Sequence, residues 1–393
     1  MRLRTLSGLL LSLGLVAMPA MAKDPVWLRS AASMPVASDP ARAQAVENAT
    51  VRFQVRISKG GEAFRLVLSN QHGPTDLHIG AASVGYMNGG VQKFAPVTVS
   101  GQGDFIIAPN APALSDPVNV PLVDGQVVTV SLFFPDKTPL TTQHGGNLPA
   151  PMMATGNLTL AADFTPESTL RTRPVFAGID VLAKGQTIVA FGDSITDLGE
   201  DSSKPSQRWS DVLAERLLAA HKPFTVANES LSGNCILQDR SGLGALARFD
   251  RDVLSLPNVG YVVMLEGIND IGHSGDVVNG VTARVITADD LIAAYKQVIA
   301  RAHEHGIKVI VSPILPFKGS KYYSDDKEKV RLAVNAWLVA PGNADGVVDF
   351  ATPVADPADP AQLNASLERG DHLHPNVAGE QAMGAAFDLK MFK

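Results

Sequence analysis

The chain has 393 residues, 45% of them hydrophobic and 18% charged, with 33 Lys and Arg against 39 Asp and Glu for a formal net charge of −6. This composition excludes a disordered chain and permits one large core or two moderate ones, the length favouring two; the acidic balance argues against nucleic acid or an anionic membrane as partner, since both attract basic surfaces. A single cysteine, Cys235, excludes an internal disulfide, and without a His/Cys cluster a structural zinc site is not expected.

The amino terminus, "MRLRTLSGLLLSLGLVAMPAMA", has two arginines, an apolar run and Ala20 and Ala22 flanking Met21. It reads as a secretory signal peptide over residues 1–22, cut before Lys23, because the apolar run falls short of the ~20 residues a membrane span needs. No later segment approaches that length, so no integral membrane segment is expected. Removing the two leader arginines from −6 leaves a mature chain near −8.

From about residue 50 to 160 apolar residues alternate with period two in "VRFQVRIS", "FRLVLSN", "LHIGAASVGYM", "APVTVSG" and "VVTVSLFFP", separated by Gly, Pro, Asn and Asp. Short, evenly spaced strands with turn chemistry predict an antiparallel β-sandwich, assigned with its linker to residues 23–180. Around "MMATGNLTLAADFTPESTLRTRPVFAGIDVLAKG" the alternation fades, and this stretch reads as a connecting segment.

Over residues 181–393 the pattern becomes strand, helix, strand. "TIVAF", "FTVANES", "GYVVMLEG", "IKVIVSP" and "GVVDF" read as strands, and "SQRWSDVLAERLLAAHK", "ADDLIAAYKQVIARAHEHG", "DDKEKVRLAVNAWLVA" and "NVAGEQAMGAAFDLKMF" as helices. Continuous apolar strands alternating with amphipathic helices predict an α/β domain whose parallel sheet is covered on both faces.

Ligands of such sheets bind beyond the carboxyl ends of the strands. There the chain carries "GDSITD", "SLSGNC" and "EGIND", and "GDHLHPN" before the last helix. Read locally, Ser194 is as good a helix cap as a nucleophile. The four segments together supply the parts of an acyl-transfer site: Ser194 as nucleophile, His374 as base and Asp371, three residues before it, as the carboxylate that orients the ring. The backbone N–H groups of Ser194 and Gly233 and the side-chain amide of Asn269 are the oxyanion donors. His372 is the rival base, disfavoured because side chains adjacent along the chain diverge from one another, here from Asp371.

These blocks, in this order from Gly192 to Lys393, resemble the SGNH (GDSL) hydrolases, a family of esterases and lipases. The resemblance implies a flavodoxin-like three-layer fold and the same roles for Ser194, Gly233, Asn269, Asp371 and His374. The stretches "LSGN", "ALARFDRDVL", "VVMLEGINDIG" and "GDHLHPN" are similar to a secreted branch that includes acetylxylan esterases and places a β-rich domain before the hydrolase. Cys235 departs from that branch, which usually carries a basic residue there; this bears on substrate preference rather than on the reaction.

The expectation is a secreted or periplasmic serine esterase that hydrolyses short acyl esters, acetyl by resemblance, on a small-molecule or polysaccharide substrate, without metal or other cofactor. The rivals are a lipid-directed lysophospholipase or thioesterase on the same scaffold and an inactive carbohydrate-binding protein. Among neighbouring residues, Asp193 is expected to hydrogen-bond the turn, Asp197 to stay solvated, Asp270 to brace its loop, Cys235 to be a buried small hydrophobe, and Trp209 and Arg208 to serve packing and surface charge. The β-rich domain is expected to buttress the hydrolase, since no aromatic ladder is visible in it.

Overall fold

The computed structural model describes residues 24–39, 43–145, 149–199, 207–278 and 281–393. The leader, residues 1–22, lies outside the described residues. Among the described residues no helix is long and apolar enough to cross a membrane.

The amino-terminal region is built on two large antiparallel sheets, with three smaller ones beside them among the described residues. One runs in the order Val26–Ala32, Phe176–Ala183, Phe64–Ser69, Pro112–Leu114; the other runs Ser168–Thr169, Met152–Thr155, Ala49–Arg56, Val127–Phe134, Ala81–Asn88, Val91–Val97. Their inner faces share one apolar cluster that includes Phe53, Val130 and Leu132 from one sheet and Phe64, Leu66 and Ile179 from the other. Phe53 meets Phe176 edge-on across the gap, with ring centroids 5.5 Å apart. Two antiparallel sheets closed over one core are a sandwich.

The stretch that reads as connecting contributes a strand to the middle of the first sheet. Phe176–Ala183 is buried at all but one position, and therefore lacks the alternation that marks a half-exposed strand. Its outer face carries Asp180, 1% exposed, whose carboxylate takes the Nε of Arg29 at 2.5 Å and of Arg65 at 3.0 Å. Arg29 also reaches Glu229, in the carboxyl-terminal region, at 3.3 Å. Further links across this boundary are the Arg29 N–H to Thr187 Oγ1 at 3.1 Å and the Val226 N–H to Ser58 Oγ at 2.9 Å.

The carboxyl-terminal region is an α/β fold on one five-stranded parallel sheet. Its strands, in chain order, are Gln186–Gly192, Phe224–Asn228, Val259–Leu265, Lys308–Val311 and Gly346–Val347. They lie side by side as second, first, third, fourth, fifth, the flavodoxin-like order. Every residue of the first two strands is buried. Because successive side chains point to opposite faces, layers must cover the sheet on both sides.

The helices Trp209–Ala219 and Val377–Ala385 pack on one another, as do Ala288–Glu304 and Asp325–Leu338. In Ala288–Glu304 the buried residues Leu291, Ala294, Tyr295, Val298, Ile299 and Ala302 recur at helical spacing. A capping box between Thr287 and Asp290 starts this helix, and Gly306, at φ 69°, follows its end. The parallel strands share one direction, so the segments after the first three, with the loop before Val377, gather at one edge.

Candidate active site

The strand Gln186–Gly192 runs straight into a four-residue helix, Ser194–Asp197. Asp193 caps it, accepting the Ile195 N–H on Oδ1 at 2.9 Å. The capping job that competes for Ser194 in the sequence thus falls to its neighbour, and the Ser194 hydroxyl is left for another partner. That partner is His374 Nε2, 2.8 Å away, although 180 residues separate them. His374 Nδ1 in turn lies 2.6 Å from Asp371 Oδ2.

A carboxylate can only accept, so the ring proton sits on Nδ1 and Nε2 is free to accept from the Ser194 hydroxyl. Asp371 Oδ1 also accepts the Leu373 and His374 N–H groups at 3.0 and 2.9 Å, which ties the carboxylate and the ring into one turn. Partial burial pulls the Asp371 carboxyl upward, but the hydrogen bonds from the His374 ring and backbone outweigh it and hold the group below the usual aspartate value. His372 takes no part: it stands at φ 58°, half-exposed, with Nδ1 3.4 Å from Glu368. Arg369 fastens this loop to the end of the serine helix, donating to Leu198 O at 3.1 Å and to Pro375 O at 2.9 Å.

Gly233 follows the strand Phe224–Asn228 and stands at φ 76°, where a Cβ would come within 2.5 Å of Ser241 Oγ. Among the described residues neither the Ser194 nor the Gly233 N–H makes a backbone hydrogen bond, so both donors are uncommitted. Asn234, beside Gly233, is fully buried: its Oδ1 accepts from Arg248 Nε at 2.7 Å and its Nδ2 donates to Leu243 O at 2.9 Å. Arg248, buried over the Phe191 ring, also donates to Gly192 O at 3.2 Å and so ties the first two site segments together.

Asn269 is the second residue of the short helix Ile268–Gly272 after the third strand. Its Nδ2 donates one hydrogen to Asn234 O at 2.9 Å, and its Oδ1 accepts from the Tyr322 hydroxyl at 3.1 Å. Asp270 does brace the neighbouring loop, accepting the Ile236 and Leu237 N–H groups at 2.7 and 3.0 Å. Burial, opposed by those N–H donors, pushes its carboxyl up to about 6. Cys235 and Trp209 are buried, and Arg208 pairs with Asp211 at 2.9 Å.

Asp197 is a correction. Expected to stay solvated, it is 4% exposed and fully engaged. Its Oδ2 accepts both the N–H and the hydroxyl of Ser232, at 3.0 and 2.6 Å, and its Oδ1 lies 3.0 Å from Nε2 of His144 in the β-rich region. Burial alone would raise its carboxyl; the charge and hydrogen bond of His144 hold it below the usual value instead. A cavity between the two regions, lined by His144, Arg173, Asp197 and Arg208 among others, does not include Ser194 or His374 in its walls.

A hydroxyl hydrogen-bonded to an imidazole whose tautomer is held by a carboxylate can be deprotonated as it attacks an electrophile. Uncommitted N–H donors close to such a hydroxyl can hold the negative charge that then develops on oxygen.

Residues 190–382 match the model of the GDSL-like Lipase/Acylhydrolase family. Among solved structures the chain is similar to a lipase/acylhydrolase from Enterococcus faecalis, at 21% identity and a TM-score of 0.40, over 51% of this chain and 92% of that one. An acetyl xylan esterase from Geobacillus stearothermophilus is matched at 20% identity and a TM-score of 0.39, over 53% of this chain and 94% of that one. A psychrotrophic esterase from a Pseudoalteromonas species is matched at 17% identity and a TM-score of 0.38, over 51% and 93% of the two chains. No curated protein matches the chain.

Proposed function

From the premise that residues 190–382 form a GDSL-like lipase/acylhydrolase domain, and that the chain is a carboxylic ester hydrolase, we propose that Ser194 is its nucleophile and that its substrates are short-chain acyl esters. His374 takes the hydroxyl proton as Ser194 Oγ attacks the ester carbonyl carbon, and Asp371 holds the ring in the required tautomer. The oxyanion of the tetrahedral intermediate takes hydrogen bonds from the N–H groups of Ser194 and Gly233 and from the second Nδ2 hydrogen of Asn269. The carbon–oxygen bond to the alcohol then breaks, and His374 returns the proton to the departing alkoxide. Water attacks the acyl-enzyme with the same base, freeing the carboxylic acid and Ser194.

The observation that carries this reading is the unbroken series from Ser194 Oγ through His374 to Asp371, at 2.8 and 2.6 Å. Acetyl as the acyl group and a carbohydrate as its carrier rest on the resemblance of "LSGN", "VVMLEGINDIG" and "GDHLHPN" to the acetylxylan-esterase branch. Export, to the periplasm or beyond, rests on the leader of residues 1–22.

The test is hydrolysis of 4-nitrophenyl acetate by the wild type and by Ser194→Ala. Turnover is expected to vanish in the variant while its circular dichroism is unchanged; undiminished turnover would refute the assignment. Comparing acetate with octanoate esters, and measuring acetate release from acetylated xylan, decides the acyl length and the carrier.

A further inference from the structure

Gly233 is the one proposed oxyanion donor that sits on an irregular loop, so its N–H is only as well placed as that loop is held. The loop is anchored on both sides of the glycine. On one side Asn234 is locked by Arg248 and Leu243 O. On the other, Ser232 gives its N–H and its hydroxyl to a single oxygen, Asp197 Oδ2. The Ser232 carbonyl carbon bears the Gly233 nitrogen, so fixing Ser232 on one side and Asn234 on the other limits how far the peptide plane carrying that N–H can turn.

Asp197 is held from its other side as well. Its other oxygen is taken by His144, whose remaining ring nitrogen, Nδ1, lies 2.8 Å from Met34 O. A carbonyl and a carboxylate can only accept, so both ring nitrogens carry a proton, Nδ1 donating to Met34 O and Nε2 to Asp197 Oδ1. His144 is 4% exposed and belongs to the strand Thr142–His144, which is paired on both edges within the β-rich region. The series Met34 O, His144, Asp197, Ser232, Gly233 therefore runs from the β-rich region into the site.

We propose that the β-rich region is a working part of the ester site: its His144 is a positioning residue that holds Asp197, and through Ser232 the Gly233 N–H, in the geometry that receives the oxyanion. The proposal rests on the reading of Ser194 as nucleophile and Gly233 as oxyanion donor. It assigns the β-rich region a role beyond buttressing, one independent of glycan binding. The interaction is made for the transition state rather than for the bound ester, so its loss should appear in kcat and spare KM.

The experiment uses the full chain and expresses rates per reactive serine, counted by stoichiometric phosphonylation, so that loss of folded protein is not scored as loss of catalysis. His144→Ala is expected to lower kcat about tenfold with KM within about twofold, a fraction of the ~10²–10³ that follows outright removal of an oxyanion donor. Asp197→Asn keeps the shape but has one accepting oxygen for two sets of donors; it is expected to behave alike and serves if His144→Ala does not fold. Because the two residues act in series, the double variant should be no slower than the slower single one. Inhibition by phenylboronic acid, whose serine adduct places a negative oxygen in the same hole, should weaken in step with kcat.

Unchanged kcat in His144→Ala, or in Asp197→Asn where His144→Ala does not fold, a change confined to KM, or losses that multiply in the double variant would each overturn the proposal. Ser194→Ala separates the two levels: if it stays active, the reading of the site falls and this proposal with it. If it is inactive while His144→Ala turns over normally, this proposal alone falls.

Discussion

The Tyr322 hydroxyl lies 3.1 Å from Oδ1 of Asn269 and shares its one hydrogen with Nε2 of His273 at 2.9 Å, while the Nδ2 of the same amide donates to Asn234 O at 2.9 Å. A carbonyl can only accept, so the Asn234 contact assigns the carboxamide, and one Nδ2 hydrogen remains for an oxyanion. The two anchors differ in weight. Without the phenol, a flipped amide would still set oxygen against the Asn234 carbonyl, so the orientation survives at reduced preference. Tyr322→Phe, which keeps the ring packed 4.8 Å from that of His273, should therefore cost about one net hydrogen bond, roughly 1 kcal/mol or fivefold in kcat. Asn269→Ala should cost ~10²–10³. Equal kcat for Tyr322→Phe and the wild type on 4-nitrophenyl acetate would show that the phenol orients nothing.

Asp193 makes a prediction about pH and stability. It is 1% exposed with no partner for Oδ2 among the described residues, and burial, against the Ile195 N–H and with the charge of Asp270, pushes its carboxyl up to about 7. In an unfolded chain the same group titrates near 3.8. Between those values the native state binds the proton and the unfolded state does not. The contribution is therefore fully present below about pH 4 and lost as pH rises through about 7, with an upper bound of a few kcal/mol at ~1.4 kcal/mol per unit. Asp193→Asn is neutral at every pH and should remove this part of the decline. Its Tm relative to the wild type should be distinctly higher at pH 8 than at pH 5, by calorimetry; a constant difference would show that Asp193 is ionised throughout.

Cys235 should be chemically silent. Burial, with the charges of Asp270 and Glu266, pushes its thiol well above the usual range, and the side chain is fully covered. Only the thiolate alkylates at a useful rate. Native protein treated with iodoacetamide at pH 8 should keep its mass and its activity, whereas denatured protein should gain one carbamidomethyl group by mass spectrometry. Alkylation of the native chain with loss of turnover would contradict this burial.

The parts of the site legible in the sequence are those that lie at strand ends and announce themselves locally: Ser194 after an apolar run, Asn269 after another, Asp371 and His374 three residues apart. Their partners had no such signal. Tyr322 lies 53 residues beyond Asn269 and His144 lies 53 residues before Asp197, on separate elements, so no spacing rule connects them. Asp197 reads as solvated because its neutralising partner belongs to the other region. The strand Phe176–Ala183 was hidden for a related reason. A strand covered on both faces loses its alternation, and the Gly, Pro and Asp around it resemble a linker; Asp180 fits a buried face only because Arg29 and Arg65 meet it there.

Gly233 offers a test that divides steric fit from backbone conformation. At φ 76° an alanine is strained by roughly 1 kcal/mol, and its Cβ would also stand 2.5 Å from Ser241 Oγ, well inside contact distance. Ser241 can retreat by rotating, or be cut back in the double variant Gly233→Ala with Ser241→Gly, because the Ser241 Cβ alone would still stand 3.2 Å away, but the backbone strain remains. If the glycine serves only to avoid the clash, the double variant should recover wild-type kcat. If the left-handed backbone is what aims the N–H, both variants should lose at least tenfold in kcat with little change in KM, because a peptide relaxing from that conformation swings its donor away from the oxyanion. The anchors at Ser232 and Asn234 resist that relaxation, so the strain should also appear as a lower Tm in both variants. A variant with lowered Tm and undiminished kcat would remove Gly233 from the oxyanion site and leave Ser194 and Asn269 as its donors.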